Sequence, residues 1–460
     1  MAGIGFEIRK LLRRDDLLGV LQGYTHSALT ATGPWLLTIL TLTGVVFLGG
    51  QQVPADELAE FRLIIIYNFG FSLVMAGPVV MVATRYLADA IYVKRVDEAP
   101  SMMMGCVLMI LAINAAIVIP FYLVYLELDR TLAILSVINY LIIAAIWLIG
   151  AFLSALKDYS AITRAFAAGM VLSLGGAALL ASTSSTTVMM AGFTIGQAVI
   201  LFALIARVLV EYPYPVVNPF RYGHYFRKYW ALALSGLFYN IGIWIDKWIM
   251  WTAPEHETLR SGLIAYQNYD SAMFLAYLTI VPSIAAFVMS VETEFYEHYL
   301  SYFRSIQNHS SFGHIDRAHD EIVQSTLRGG RTFIVLQGSI CLVTILVAPK
   351  IFSTFNVNYA QIGMFRIGVL GAFFHVLFLG LSIVLSYFDL RMATLRLQIL
   401  FLVTNGVFTF MTLKAGFPYY GYGYFLATLV TFAATFLTAA HYLKWLPYQT
   451  FVLSNSSVES

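Results

Sequence analysis

The sequence predicts an all-α polytopic membrane protein with twelve transmembrane helices, and three observations predict it. Hydrophobic residues make up 59% of the chain and charged ones only 11%, against about a quarter charged in soluble domains. Apolar runs of about 20 residues, the length that crosses a bilayer, recur from end to end. When those runs are taken as spans, the lysines and arginines sort to one side.

The expected spans lie near 24–49, 63–85, 102–125, 131–155, 160–181, 188–210, 230–252, 270–290, 331–353, 365–386, 395–413 and 421–443. With the N-terminus inside, 20 of the 27 Lys and Arg fall in cytoplasmic segments. Six fall outside (Arg62, Arg130, Arg260, Lys350, Arg366, Lys414), and Lys247 sits within a span. Positive residues mark the cytoplasmic side, so both termini are expected there. The opening MAGIGFEIRKLLRRDD is basic and amphipathic, and no small-residue cleavage site follows it. Residues 1–23 are therefore expected to be a retained cytoplasmic segment. A six-helix lobe is expected over 24–210, a proline-rich cytoplasmic linker over 211–228, a second lobe over 229–443 with a large cytoplasmic loop at 291–330, and a tail over 444–460.

Prolines support the division into two sixes. Pro78 and Pro120 in spans two and three stand at depths matching Pro282 and Pro349 in spans eight and nine. Proline frees a carbonyl and kinks a helix, although it is also common in membrane helices generally. The net charge of +2 gives no reason to expect nucleic acid. Cys106 and Cys341 each lie in an apolar run and read as small hydrophobes, not as a disulfide or metal site.

Polar groups inside spans are the default functional candidates. Span one carries Gln22, His26, Thr30 and Gly33 as one stripe, spaced to line a cavity or to pack against a neighbour. Asn68, Asn114, Asn139, Asn240 and Asn405 add one amide to each of five more spans. Each alone suits an interhelical hydrogen bond; together they would suit a hydrated path. In span seven, Asn240, Trp244, Lys247 and Trp251 are spaced four, three and four and share a face. Asp246 lies about 100° round the helix, on the side of Tyr239. That angle predicts that Asp246 and Lys247 do not pair. Lys247 could snorkel past the tryptophans, or the faces could form a polar, aromatic wall that stacks and bonds sugars.

No catalytic constellation is present: there is no GxSxG, P-loop or HExxH. His298, His309, His314 and His319 do not share a helix face, so neither a metal centre nor a cofactor is expected. Transport without a nucleotide motif must draw on an ion gradient, on substrate supply or on another subunit. An ion-coupled, alternating-access flippase or antiporter for a lipid-linked glycan or small molecule, using Asp246 or His26, is the chief alternative to a sugar-binding path. An acyltransferase around His26 or His375 lacks a paired buried acid or base, and a poreless scaffold is the remaining option.

Several stretches carry a resemblance: MAGIGFEIRKLLRRD, ATGPW, LVMAGPVVMVATRYLAD, YNIGIWIDKWIMW, YDSAMFLAYLTIVPSIAAFVMSVETEFYEHY and FPYYGYGY. Over essentially its whole length the chain resembles the inner-membrane transporter family of the bacterial Pel exopolysaccharide system. That family belongs to the wider superfamily of multidrug, oligosaccharidyl-lipid and polysaccharide flippases. The resemblance implies twelve helices in two pseudo-symmetric six-helix lobes around a central cavity, in the bacterial inner membrane. It implies export of an N-acetylgalactosamine-rich polymer made by a cytoplasmic glycosyltransferase docked on the transporter. Membrane subunits that bind cyclic-di-GMP and carry repeats would complete the assembly and link it to biofilm formation. No catalytic residue transfers. The motifs that do are Gly33-Pro34, Gly77-Pro78, Asp246-Lys247, Tyr269-Asp270 and Glu292-Thr293-Glu294. The substrate path is accordingly expected at His26, Thr30, Asn68, Asn114, Tyr239, Asn240, Trp244, Asp246, Lys247, Tyr269 and Asp270. Contacts to the synthase are expected at Arg221, Arg227, Lys228, Glu292 and Glu294.

Overall fold

The computed structural model describes residues 37–38, 40–48, 53–94, 96–155, 159–180, 185–354 and 361–453. The expected segment 1–23, the stripe from Gln22 to Gly33 and the end of the tail lie outside them. Among the described residues, nine helices are long and apolar enough to cross a membrane. Residues 37–38 and 40–48 are the helical parts of expected span one that fall within them, and the other eleven expected spans fall on helices.

The chain divides into two compact units, the first ending at Gln267. That unit contains α1 (Ala55–Tyr92), α2 (Ala99–Pro120), α3 (Arg130–Ala155), α4 (Tyr159–Leu180), α5 (Thr186–Glu211), the short α6 (Gly223–Lys228) and α7 (Trp230–Met250). A hairpin of β1 (Glu257–Thr258) and β2 (Ile264–Ala265) closes it. Pro54 precedes α1, and Asp56 and Glu57 fill its first turn, where the helix dipole favours acids. Small residues set the closest crossings. A Cβ on Gly192 would lie 2.6 Å from the backbone of Gly176, and one on Gly196 2.4 Å from the Gly169 carbonyl. α4 and α5 thus meet backbone to backbone, which is how spanning helices associate without a hydrophobic drive between them.

The second unit begins at Asn268. It comprises nearly all of α8 (Gln267–Leu278), then α9 (Val281–Ser290), α10 (Tyr296–Gln307), α11 (Phe312–Thr354), α12 (Gln361–Tyr387), α13 (Arg391–Ala415) and α14 (Tyr422–Lys444). α10 and the first half of α11 occupy the expected loop 291–330. Their apolar sides bury Tyr302, Ile315, Ala318 and Ile322 against Val384 of α12 and Leu443 of α14. The expected loop is therefore largely a helical hairpin seated on the ends of two spans.

The unit boundary differs from the expected one at 211–228. α7 packs on α1 and stays with the first unit, because Gly77 and Gly236 bring the two backbones together: a Cβ on either would lie 3.1–3.2 Å from the other's carbonyl oxygen. The prolines also act less symmetrically than their spacing suggests. Pro78 lies inside an unbroken α1, whereas Pro282 starts α9 after a break that splits expected span eight. Pro349 lies inside α11. Pro120 ends α2, which runs on into a π turn at Phe121–Tyr125. Residue type marks these places, but the broken ladder takes a different form at each.

Candidate functional site

α7 carries Asn240 and the adjacent charges Asp246 and Lys247 within one helix of the first unit. It is not among the nine apolar spans, since Asn240, Asp246 and Lys247 lower its hydropathy. Apart from Trp230, none of its residues is exposed. Its aromatic face lies along α1. The Asn240 amide donates to the Leu73 carbonyl at 3.0 Å. Trp244 covers Gly70, whose missing Cβ would lie 2.7 Å from the indole. Trp248 stacks on Phe71 at 5.0 Å and 5°, and Trp251, just past α7, stacks on Tyr67 at 4.9 Å and 7°. Of the face expected to be shared by Asn240, Trp244, Lys247 and Trp251, Asn240, Trp244 and Trp251 meet helix α1, while Lys247 turns back to Asp246. Tyr239 is half-buried.

Asp246 and Lys247 form an ion pair, contrary to the expectation from their angular separation. Lys247 Nζ lies 3.0 Å from Oδ1 and 3.1 Å from Oδ2 of Asp246, and donates to the Ile243 carbonyl at 3.1 Å. The angle of about 100° separates the Cβ atoms. A lysine stem carries its ammonium several bonds further and curls back over its own helix. Asp246 is 0% exposed and Lys247 8%. Two charges out of water are tolerable only when paired and hydrogen-bonded, and this pair is both.

A second polar cluster joins α1, α3 and the π turn after α2. The Asn68 amide donates to Asn139 Oδ1 at 2.9 Å and to the Ser136 carbonyl at 3.2 Å, while the Tyr122 hydroxyl donates to Asn68 Oδ1 at 2.8 Å. Asn68 and Asn139 are 0% exposed, so Asn68 spends its capacity between helices. Asn114, also fully buried, donates to the Ile110 carbonyl of its own helix at 2.8 Å. Beside this cluster a cavity of about 140 Å³ is lined by Tyr67, Phe71, Met75, Phe121, Tyr122 and Tyr140. The Tyr67 hydroxyl reaches the hairpin, donating to the Ile264 carbonyl at 2.7 Å. Sequence spacing did not single out Tyr67, although Tyr67 and Phe71, four apart, form the α1 half of the tryptophan contact.

In the second unit, Tyr269 is buried and Asp270 stands half-buried in the first turn of α8, a favourable place for an acid. His375, 2% exposed, pairs through Nδ1 with the Tyr424 hydroxyl at 3.0 Å, and the Tyr277 ring lies edge-on at 5.7 Å. His298 contacts Glu321 at 3.3 Å, whereas His319 bonds the Leu443 carbonyl at 2.7 Å. The loop histidines thus serve separate partners. Among the described residues, no group of His, Cys, Asp or Glu is placed to hold a metal ion.

The expected synthase-contact residues are partly engaged. Arg221 pairs with Glu98 at 3.4 Å yet stays 70% exposed in its side chain, and Tyr86 shares that glutamate at 3.1 Å. The buried Tyr222 nearby is held above its ordinary acidity range by burial and by Glu98. Arg227 and Lys228 are exposed, with Lys228 Nζ 5.1 Å from the Tyr229 ring centre. Glu294 pairs with Arg328 at 3.0 Å. Of Glu292 only the backbone is described. His26 and Thr30 lie outside the described residues.

Long apolar helices with sheltered polar groups define a polytopic membrane protein, and solved structures show a transporter-like fold. An outward-facing multidrug MATE transporter of the MOP superfamily superposes with a TM-score of 0.61 at 15% identity, covering 92% of this chain and 97% of that one. A MOP superfamily transporter from Pyrococcus furiosus gives 0.61 at 14%, with the same coverage. An inward-facing MATE transporter gives 0.59 at 14%, covering 89% and 95%. The chain belongs to the PelG family, "Putative exopolysaccharide Exporter (EPS-E)", whose model matches residues 1–451. No curated protein sequence matches it. Family and fold are those of transporters and not of enzymes.

Proposed function

We propose that this chain exports an N-acetylgalactosamine-rich exopolysaccharide across the bacterial inner membrane, fed by a cytoplasmic glycosyltransferase. The family match over residues 1–451 carries the reading. Both termini face the cytoplasm, in keeping with the distribution of basic residues. The synthase docks where Arg221, Arg227 and Lys228 are exposed, with Glu294, in the π turn just before α10, as a second contact. Cyclic-di-GMP-binding and repeat-bearing membrane subunits complete the assembly.

Polymerisation supplies the driving force. Asp246, the fully buried acid of α7, is already neutralised by Lys247. Taking up a coupling ion there would cost the pair its partner. The second reading is an ion-coupled flippase that alternates access for a lipid-linked glycan. Its support is the likeness to both outward- and inward-facing MATE structures.

Secretion assays in a strain that makes the polymer separate export from synthesis. Removing the chain should leave sugar polymer trapped inside, and Asp246→Asn should weaken secretion without abolishing it. Undiminished secretion from cells lacking the chain refutes the proposal.

A further inference from the structure

A groove of about 480 Å³ lies where α13 begins and α14 ends, lined by Leu390, Ala393, Leu437, Thr438, His441 and Gln449 among others. Both helices are apolar enough to span the membrane. Their outward residues are strongly exposed: Leu437 is 67% exposed and Phe436 49%. Just past α14, Trp445 and Tyr448 are exposed as well, and such rings settle at the level of lipid headgroups. The groove therefore sits at a membrane–water boundary and opens on the lipid side.

Its charge is unbalanced. The acid beside it, Asp389, is held bidentately by Arg391. That leaves Arg396, His441 and Lys444, all exposed. Arg396 is three residues beyond Ala393 and so continues the stripe that lines the groove, about 4.5 Å further along a spanning helix. It makes no hydrogen bond or ion pair with any described residue. A cation exposed to lipid within a span requires an anion or a route to water.

We propose that this groove seats an anionic phospholipid. Its phosphate lies toward the water-side end of the groove, between the His441–Lys444 end of α14 and the Arg396 guanidinium reaching outward from one turn deeper, and an acyl chain runs inward past Ala393 and along Leu437. Thr438 and Gln449 supply polar contacts at headgroup level. The occupant is a lipid and not a free phosphate, because the floor of the groove is apolar and the exposed helix faces continue it.

Native mass spectrometry of the purified full chain, delipidated and titrated with phosphatidylglycerol or phosphatidylcholine, tests this. Wild type should retain phosphatidylglycerol preferentially. Arg396→Gln should bind it about fivefold more weakly, the change expected for one basic residue near a membrane surface. Ala393→Leu, which fills the floor and keeps the charge, should weaken both lipids. Glycerol phosphate, the headgroup without chains, should not compete. Equal retention of the two lipids by wild type overturns the proposal. So does unchanged phosphatidylglycerol binding in Arg396→Gln, or full competition by glycerol phosphate.

Discussion

Lys247 places its ammonium 3.0 Å from the carboxylate of Asp246, its immediate neighbour in the sequence, inside a helix that shelters both. The two charged ends meet within one turn of backbone, and Lys247 also donates to the Ile243 carbonyl. Removing one member takes this salt-bridge partner from a buried charge. Lys247→Met or Asp246→Asn should each lower stability by about 3–5 kcal/mol, as for other broken buried pairs. The double variant, which buries no charge, should recover most of that loss. Thermal unfolding of the four proteins in detergent gives the cycle, and additive losses would contradict the pairing.

The α4–α5 crossing has no room for a methyl group. Gly192→Ala should cost about 1–3 kcal/mol through overpacking, since its Cβ would meet Gly176 backbone at 2.6 Å. Gly175→Ala is the control, because a Cβ there meets nothing within 4 Å. Size-exclusion profiles after a heating series should separate the two variants.

Asn68 holds three helical segments together, so its loss should show as instability. Asn68→Ala leaves Asn139 Oδ1 and the Tyr122 hydroxyl without this partner, at about 1–3 kcal/mol for each stranded group. Secretion normalised to folded protein should be unchanged. A fall in secretion per folded molecule would give Asn68 a direct part in transport.

Alkaline titration reports on Tyr212, at the end of α5. Burial first, then Glu211 and Tyr214, raise its hydroxyl from the ordinary 10.0 to about 12. The folded protein keeps the proton more tightly than the unfolded chain does. The contribution is thus complete below pH 10 and lost as pH rises toward 12. Melting temperatures should fall across that window, and less steeply for Tyr212→Phe.

Much of this architecture was legible in the sequence, and the physics explains which parts were not. Spans follow from apolar length, so α1 to α5 and α11 to α14 stand where hydropathy put them. The Asn240–Trp244–Trp251 face follows from helical period alone. Periodicity fixes Cβ directions, however, and says nothing of where a lysine ends, which is why the Asp246–Lys247 pair ran against expectation. The break between Leu278 and Val281 and the π turns at Phe121 and Val291 leave composition almost unchanged. The placement of α7 with the first unit depends on two glycines, Gly77 and Gly236, 159 residues apart. No local pattern links them.

We propose that polymer synthesis, not an ion gradient, drives export. Proteoliposomes holding the synthase and this chain, supplied with labelled sugar nucleotide on the synthase side, test it most directly. Labelled polymer should reach the opposite side at the same rate per sugar added after a protonophore collapses the gradient. Export that stops on adding the protonophore while synthesis continues would contradict it.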